Sequence, residues 1–314
     1  MRFVVFGDDA RVGLLEGETV LDLSRAAQGE AGFGSLLELI EAGEAGLERA
    51  RSAAERARVS GAVGTPLSKA KLQAPWAGQR LALAGSNNAD HHAAAFTSMG
   101  TPLTKEDAYA NQRAKPPSAF WAMARPVMGP GAKIEIPARA RGFFDYEGEA
   151  AVVIGKRGKD IKANAAHEYI WGVTLVNDWS AREDVWPPVP PNALILAKNF
   201  DCSKSIGPTI SVGEADINDM PVETLVNGEL RQSYSTRDMS YGFAEILEFL
   251  SRDFTFYPGD VISLGTGAGT GIDRTVPMAD GRWPTDKFLK PGDTVEVRSP
   301  AVGSLIGHVV PKST

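Results

Sequence analysis

The stretch Arg141-Gly142-Phe143-Phe144-Asp145-Tyr146-Glu147-Gly148-Glu149-Ala150-Ala151-Val152-Val153-Ile154-Gly155 constrains the fold more than any other part of this chain. Val152, Val153 and Ile154 are β-branched and glycines bracket the run, so it reads as a strand. On a strand, residues two apart share a face. Phe144, Tyr146, Ala150, Val152 and Ile154 then line one side, and Asp145, Glu147 and Glu149 the other. Three carboxylates on one face are costly, since two unit charges ~4 Å apart repel by roughly 4 kcal/mol at an effective dielectric of 20. A solvated outer face would relieve this, and for an arbitrary Glu-x-Glu that is the ordinary solution. The next apolar run argues otherwise. Tyr169-Ile170-Trp171-Gly172-Val173-Thr174-Leu175-Val176 ends in Asn177-Asp178, a carboxylate placed where a buried strand would exit. Glu147, Glu149 and Asp178 offer only oxygen ligands. That donor set suits a hard divalent cation, Mg²⁺ first, with Mn²⁺ or Ca²⁺ as alternatives.

Length and charge narrow the class. The 314 residues suffice for one large domain, or a large one with a small one. A formal net charge of −6 argues against a nucleic-acid or anionic-membrane partner. The single cysteine, Cys202, excludes an internal disulfide framework and fits a reducing cytoplasm, the expected location. Met1–Asp9 lacks the apolar region of a signal peptide, and no run approaches the length of a bilayer span.

Along the chain, residues 1–24 read as a β-meander, with strands at Arg2–Phe6, Arg11–Leu15 and Thr19–Leu23. Residues 34–59 look helical, with Gly43 and Gly46 as the break. The Gly-, Pro- and Ser-containing connector at 60–71 sets a domain boundary near residue 72: a small N-terminal α+β domain over 1–71 and the main domain over 72–314. In the latter, Val222–Val226 and Glu229–Gln232 flank Asn227-Gly228, a two-residue hairpin turn. Phe243, Ile246, Leu247 and Leu250 share one helical face. Pro258-Gly259-Asp260 and Pro291-Gly292-Asp293 each precede a short strand. Residues 100–118 carry little periodicity and read as a long surface loop, a candidate lid.

Other residues carry chemistry less plainly. Gly265-Thr266-Gly267-Ala268-Gly269-Thr270-Gly271 lacks the Gly-x-Gly-x-x-Gly spacing and no helix start follows, so it is a loop of close backbone approach and not a dinucleotide fingerprint. Lys198, inside the apolar Leu194–Phe200, reads as a lysine snorkelling from an edge strand. His91 has no second histidine at metal spacing, since His92 is adjacent and diverges.

Together, Asp145-Tyr146-Glu147-Gly148-Glu149, Asn177-Asp178-Trp179-Ser180-Ala181-Arg182, Ala197-Lys198-Asn199-Phe200-Asp201 and Gly265-Thr266-Gly267-Ala268-Gly269 resemble the fumarylacetoacetate hydrolase superfamily in order and spacing. The resemblance covers about the C-terminal three quarters of the chain. It implies an α+β, mainly β fold: a mixed β-roll/β-sandwich C-terminal domain behind the small N-terminal one, in a homodimer. It also implies a divalent ion on Glu147, Glu149 and Asp178 that chelates a small 2-oxo or 1,3-diketo carboxylic acid. Lys198 would steady a developing enolate, Arg182 and Thr266 would contact substrate, and His91 would activate water. The implied activity is hydrolysis of a C–C bond in an acylpyruvate. The alternatives are decarboxylation, tautomerisation or dehydration of a 2-oxo acid at the same site, or a non-catalytic protein that binds an acid or cation. Five positions depart from the pattern. Asn88 stands for a tyrosine, Ala94 for the glutamate partner of the histidine, Ala122 for a lysine and Gly267 for a proline, and no glutamine lies in Arg182–Trp186.

Overall fold

The computed structural model describes residues 1–27, 32–59, 64–78, 80–123, 125–185, 193–280 and 282–313. Among them, an eleven-stranded sheet dominates, with a five-stranded sheet and a two-stranded ribbon beside it. At its centre, Gly148–Ile154 pairs antiparallel with Ile170–Asp178 on one side and with Val261–Thr266 on the other. Ala151 and Val153 pack on one face with Phe3, Leu39, Leu47 and Trp171. Ala150, Val152 and Ile154 pack on the opposite face with Val222, Phe243, Ile246 and Val297. Burial on both faces explains why the run is continuously apolar instead of alternating. It also removes the solvated outer face that would have been the ordinary home for Glu147 and Glu149.

The N-terminal meander forms as Arg2–Phe6, Arg11–Glu16 and Thr19–Asp22. It joins the same sheet through Arg2 and Phe3, which pair with Ser211 and Ile210. The helical stretch divides at Gly43, whose φ of 55° suits a glycine, into Leu36–Glu41 and Gly43–Val59. Gly46 lies inside the second helix. The hairpin Pro221–Val226/Glu229–Ser235 turns on Asn227 and Gly228 at φ 52° and 82°, as a type I′ turn requires. Residues 60–63 of the expected connector and 186–192 after Arg182 lie outside the described residues.

Three local expectations are corrected. The run Phe144–Ile154 is not one strand: Phe144–Asp145 pairs with Ser180–Ala181 in the ribbon, and the strand of the large sheet starts only at Gly148, past Glu147. Residues 100–118 contain a helix, Lys105–Arg113, capped by Thr104 accepting from the Asp107 amide. Ala108 is its one buried residue among those described, so no apolar period was there to read. The Lys198 segment is also a helix, Ala193–Lys198, not a strand. It turns the expected polarity inside out, since Ile195 and Leu196 are exposed while Ala197 and Lys198 are buried. A short apolar run does not tell helix from strand by period alone.

Candidate active site

Strand direction assembles the site. Leu81–Ala84 and Val261–Thr266 run parallel, so both end at the same edge of the large sheet. The antiparallel Gly148–Ile154 begins there, Ile170–Asp178 ends there and Lys204–Ser211 begins there. Residues far apart in sequence therefore meet: Glu149 is paired with Thr266, and Asp178 with Lys204.

The ligand oxygens of Glu147, Glu149 and Asp178 all lie within 4.8 Å of one another, and all three residues are buried. Lys198 Nζ sits 2.7 Å from Glu147 Oε2, 2.9 Å from Asp178 Oδ2 and 2.6 Å from Ser180 Oγ. Arg182 donates to Glu147 Oε1 at 2.5 Å and to Asp145 Oδ2 at 2.9 Å. Asp145 also accepts from the Gly271 and Ile272 amides at 2.7 and 3.1 Å, which makes it the anchor of the glycine-rich loop. Burial would raise the Glu147 carboxyl, but Lys198 and Arg182 outweigh it and hold the group well below the usual range. At Glu149 the balance tips the other way. Burial and then the charges of Asp178 and Glu147 push it well above that range, against the Ser263 hydroxyl bond and the Lys198 charge. Lys198 is raised, because Asp178 and Glu147 outweigh its burial.

These residues fit a divalent cation. Glu147, Glu149 and Asp178 bring three buried carboxylates together, and the burial and mutual repulsion that push Glu149 toward its neutral form are what a bound cation would relieve. Asp178 Oδ1 lies 2.8 Å from Lys204 Nζ but out of line for a hydrogen bond, so it is a buried oxygen without a bonding donor. The donors are all carboxylate oxygens, as hard cations prefer.

His91 lies on the helix Ala89–Ser98, whose N-cap is Asn88: its side chain accepts from the His91 amide at 3.0 Å. The asparagine at the tyrosine position thus starts the helix that carries the histidine. Asn87 pins the approach, accepting from the Tyr241 amide and donating to the Tyr241 and Leu264 carbonyls, each at 2.9 Å. The partner missing at Ala94 comes from another part of the chain. Asp273 Oδ2 lies 2.9 Å from His91 Nδ1 and accepts the Gly269 and Thr270 amides at 2.9 and 3.1 Å. Burial alone would lower the His91 pKa, but Asp273 more than reverses this, and Glu147 adds to the rise. Gly269 at φ 112° admits no side chain, since a Cβ would fall 1.9 Å from the Arg231 carbonyl oxygen. Thr266 is buried, donating to the Gly148 carbonyl at 2.9 Å and accepting from Gln232 at 2.7 Å, with one lone pair remaining.

The sequence reading thus placed Glu147, Glu149, Asp178, Arg182 and Lys198 in what proves one cluster, with His91 close enough to feel Glu147 and Arg182. It missed Asp273, Lys204 and Ser263. An acidic residue closing a glycine run was the only sign of Asp273, because nothing in its spacing ties it to His91, 182 positions away. A lysine opening the strand Lys204–Ser211 was the only sign of Lys204.

This fold and this cluster define a family. Residues 81–310 match Fumarylacetoacetate (FAA) hydrolase C-terminal, and the chain belongs to the fumarylacetoacetate hydrolase family. It is 31% identical over 312 residues, 95% of each chain, to the oxaloacetate tautomerase YisK of Bacillus subtilis. It is 33% identical over 280 residues, 88% of this chain and 80% of the relative, to the mitochondrial oxaloacetate tautomerase FAHD2B of Bos taurus. The structure of a fumarylacetoacetate hydrolase from the psychrophile Exiguobacterium antarcticum superposes with a TM-score of 0.70 at 27% identity, over 99% of this chain and all of that one.

Proposed function

We propose that this chain is a divalent-cation-dependent enzyme that interconverts the keto and enol forms of a small 2-oxo acid of the oxaloacetate type. The observation that carries the reading is the buried His91–Asp273 pair, set within electrostatic reach of Glu147 and the carboxylate cluster. Glu147, Glu149 and Asp178 would hold the cation, Mg²⁺ or Mn²⁺ by donor hardness. When bound, such an ion supplies Lewis-acid polarisation of a 2-oxo carboxylate. The chain's own residues do the rest. With Nδ1–H donated to Asp273, His91 keeps Nε2 free to take a proton from the carbon next to the carbonyl. The same proton, returned to the carbonyl oxygen, completes the enol, and no atom is lost or gained. The Lys198 ammonium, fixed by Glu147, Asp178 and Ser180, supplies positive charge where the oxygen becomes negative. Arg182 holds Glu147 and Asp145 in place.

The relatives named oxaloacetate tautomerases support enolisation over acylpyruvate hydrolysis, which the family resemblance alone had put first. Hydrolysis remains the second reading, because of the fold match to a fumarylacetoacetate hydrolase. The test is a comparison of wild type, His91→Ala and Lys198→Ala on oxaloacetate and on an acylpyruvate, with Mn²⁺ present. The proposal expects enolisation of oxaloacetate by the wild type, a loss of roughly 10²–10⁴-fold without His91, and damage to every activity without Lys198. A wild type that cleaves the acylpyruvate but leaves oxaloacetate enolisation at its uncatalysed rate would overturn it.

A further inference from the structure

One buried charge beside the cluster has no part in the chemistry above. Lys204 opens the strand Lys204–Ser211 directly across the ladder from Asp178, and its side chain is 0% exposed. A buried ammonium persists only when it is paired and hydrogen-bonded. This one lies 2.8 Å from Asp178 Oδ1 and donates to Ser203 Oγ at 3.0 Å, to the Ser203 carbonyl at 3.1 Å and to the Lys198 carbonyl. The last contact matters, because Lys198 ends the helix Ala193–Lys198 and its carbonyl has no partner within that helix. Lys204 therefore ties the end of the helix that carries Lys198 to the strand that carries Asp178.

The electrostatic consequence follows from which oxygen each cation takes. Lys198 lies at Asp178 Oδ2 and Lys204 at Oδ1, so this one carboxylate is shared by two ammonium groups. The Lys204 side chain is fully enclosed, so little solvent stands between its charge and an incoming cation. We propose that Lys204 is a built-in rival cation that fixes the orientation of Asp178 and weakens the hold of the carboxylate cluster on a divalent ion. This rests on reading Glu147, Glu149 and Asp178 as the cation site. Lys204 is a positioning residue: it acts through Asp178 and touches neither substrate nor the reacting atoms. Its charge also offsets the mutual repulsion of the acidic groups, at the expense of affinity for a metal.

The experiment measures Mn²⁺ binding by calorimetry on metal-stripped protein, comparing wild type with Lys204→Met and Lys204→Gln. Removing the charge is expected to tighten Mn²⁺ binding by roughly 10- to 100-fold. It should also lower the thermal midpoint of the metal-free form, with Mn²⁺ restoring it. A merely structural lysine would give the opposite sign, weaker binding after replacement. Equal or weaker affinity in a folded variant overturns the inference. Should neither variant fold without metal, refolding in excess Mn²⁺ decides: recovery supports the rival-cation role and failure overturns it. A wild type that binds no Mn²⁺ at all sinks the cation site, and the inference with it. That outcome is distinct from a wild type that binds and variants that bind no better.

Discussion

Replacing Asp273 by Asn isolates one charge from the rest of the site. Asp273 Oδ2 accepts three bonds, from His91 Nδ1 and the Gly269 and Thr270 amides, while Oδ1 is buried without a partner. An asparagine can put its carbonyl oxygen in the place of Oδ2 and keep all three. Its amide group then falls where Oδ1 was. The loop and the Nδ1–H tautomer should therefore survive, and only the negative charge is lost. A hydrogen bond to a charged group is worth about 1.5–3 kcal/mol against about 1 for a neutral pair. The difference, roughly 0.5–2 kcal/mol, predicts a loss of roughly 2- to 30-fold in turnover at about 1.36 kcal/mol per decade. The pH profile should move as well, in a fixed direction. His91 serves as a base only when neutral, which requires a pH above its pKa. Burial lowers that pKa, and Asp273 overturns the lowering. Without the carboxylate, burial prevails and the pKa falls, so the rising limb of the rate shifts to lower pH. The assay is keto–enol interconversion of oxaloacetate across pH at saturating Mn²⁺, with the uncatalysed rate subtracted. A limb that stays in place, or moves to higher pH, would refute the pairing of Asp273 with the catalytic imidazole.

Further outcomes are expected from the same geometry. Glu149→Gln should abolish Mn²⁺ binding and activity yet leave the metal-free protein folded, because Glu149 is pushed toward its neutral form and Gln resembles that form; calorimetry and a melting curve check both halves. Gly269→Ala should lower stability by more than about 1 kcal/mol, since the position combines a left-handed φ with a Cβ 1.9 Å from a carbonyl oxygen, and denaturant titration reads this directly. The chain should sediment as a homodimer, the commonest closed assembly, and a species near 33.5 kDa at micromolar concentration would contradict that.

Much of this protein was legible in one dimension. Local chemistry wrote the meander of residues 1–24, the Asn227-Gly228 hairpin, the amphipathic Phe243–Leu250 and the strands after each Pro-Gly-Asp, because turn residues and apolar periods act over a few positions. The carboxylates of the cluster were legible too, since Glu147 just precedes one strand, Glu149 lies in its start, and Asp178 ends the next apolar run. The helix Lys105–Arg113 was not, because it buries only Ala108 among its described residues and has no apolar stripe to betray it. Nor was the helix around Lys198, whose branched, apolar residues read equally as a strand until the exposed Ile195 and buried Lys198 settled its faces. Asp273 and Lys204 required the tertiary structure altogether. The parallel pairing of Leu81–Ala84 with Val261–Thr266 carries the loop after each strand to the same sheet edge, so residues 182 positions apart become hydrogen-bonded. The ladder from Ile170–Asp178 to Lys204–Ser211 likewise sets Lys204 against Asp178. Sequence determined which residue types could hold a cation. Strand order and direction decided which charges surround it, because Coulomb energies depend on distances that only the packed sheet fixes.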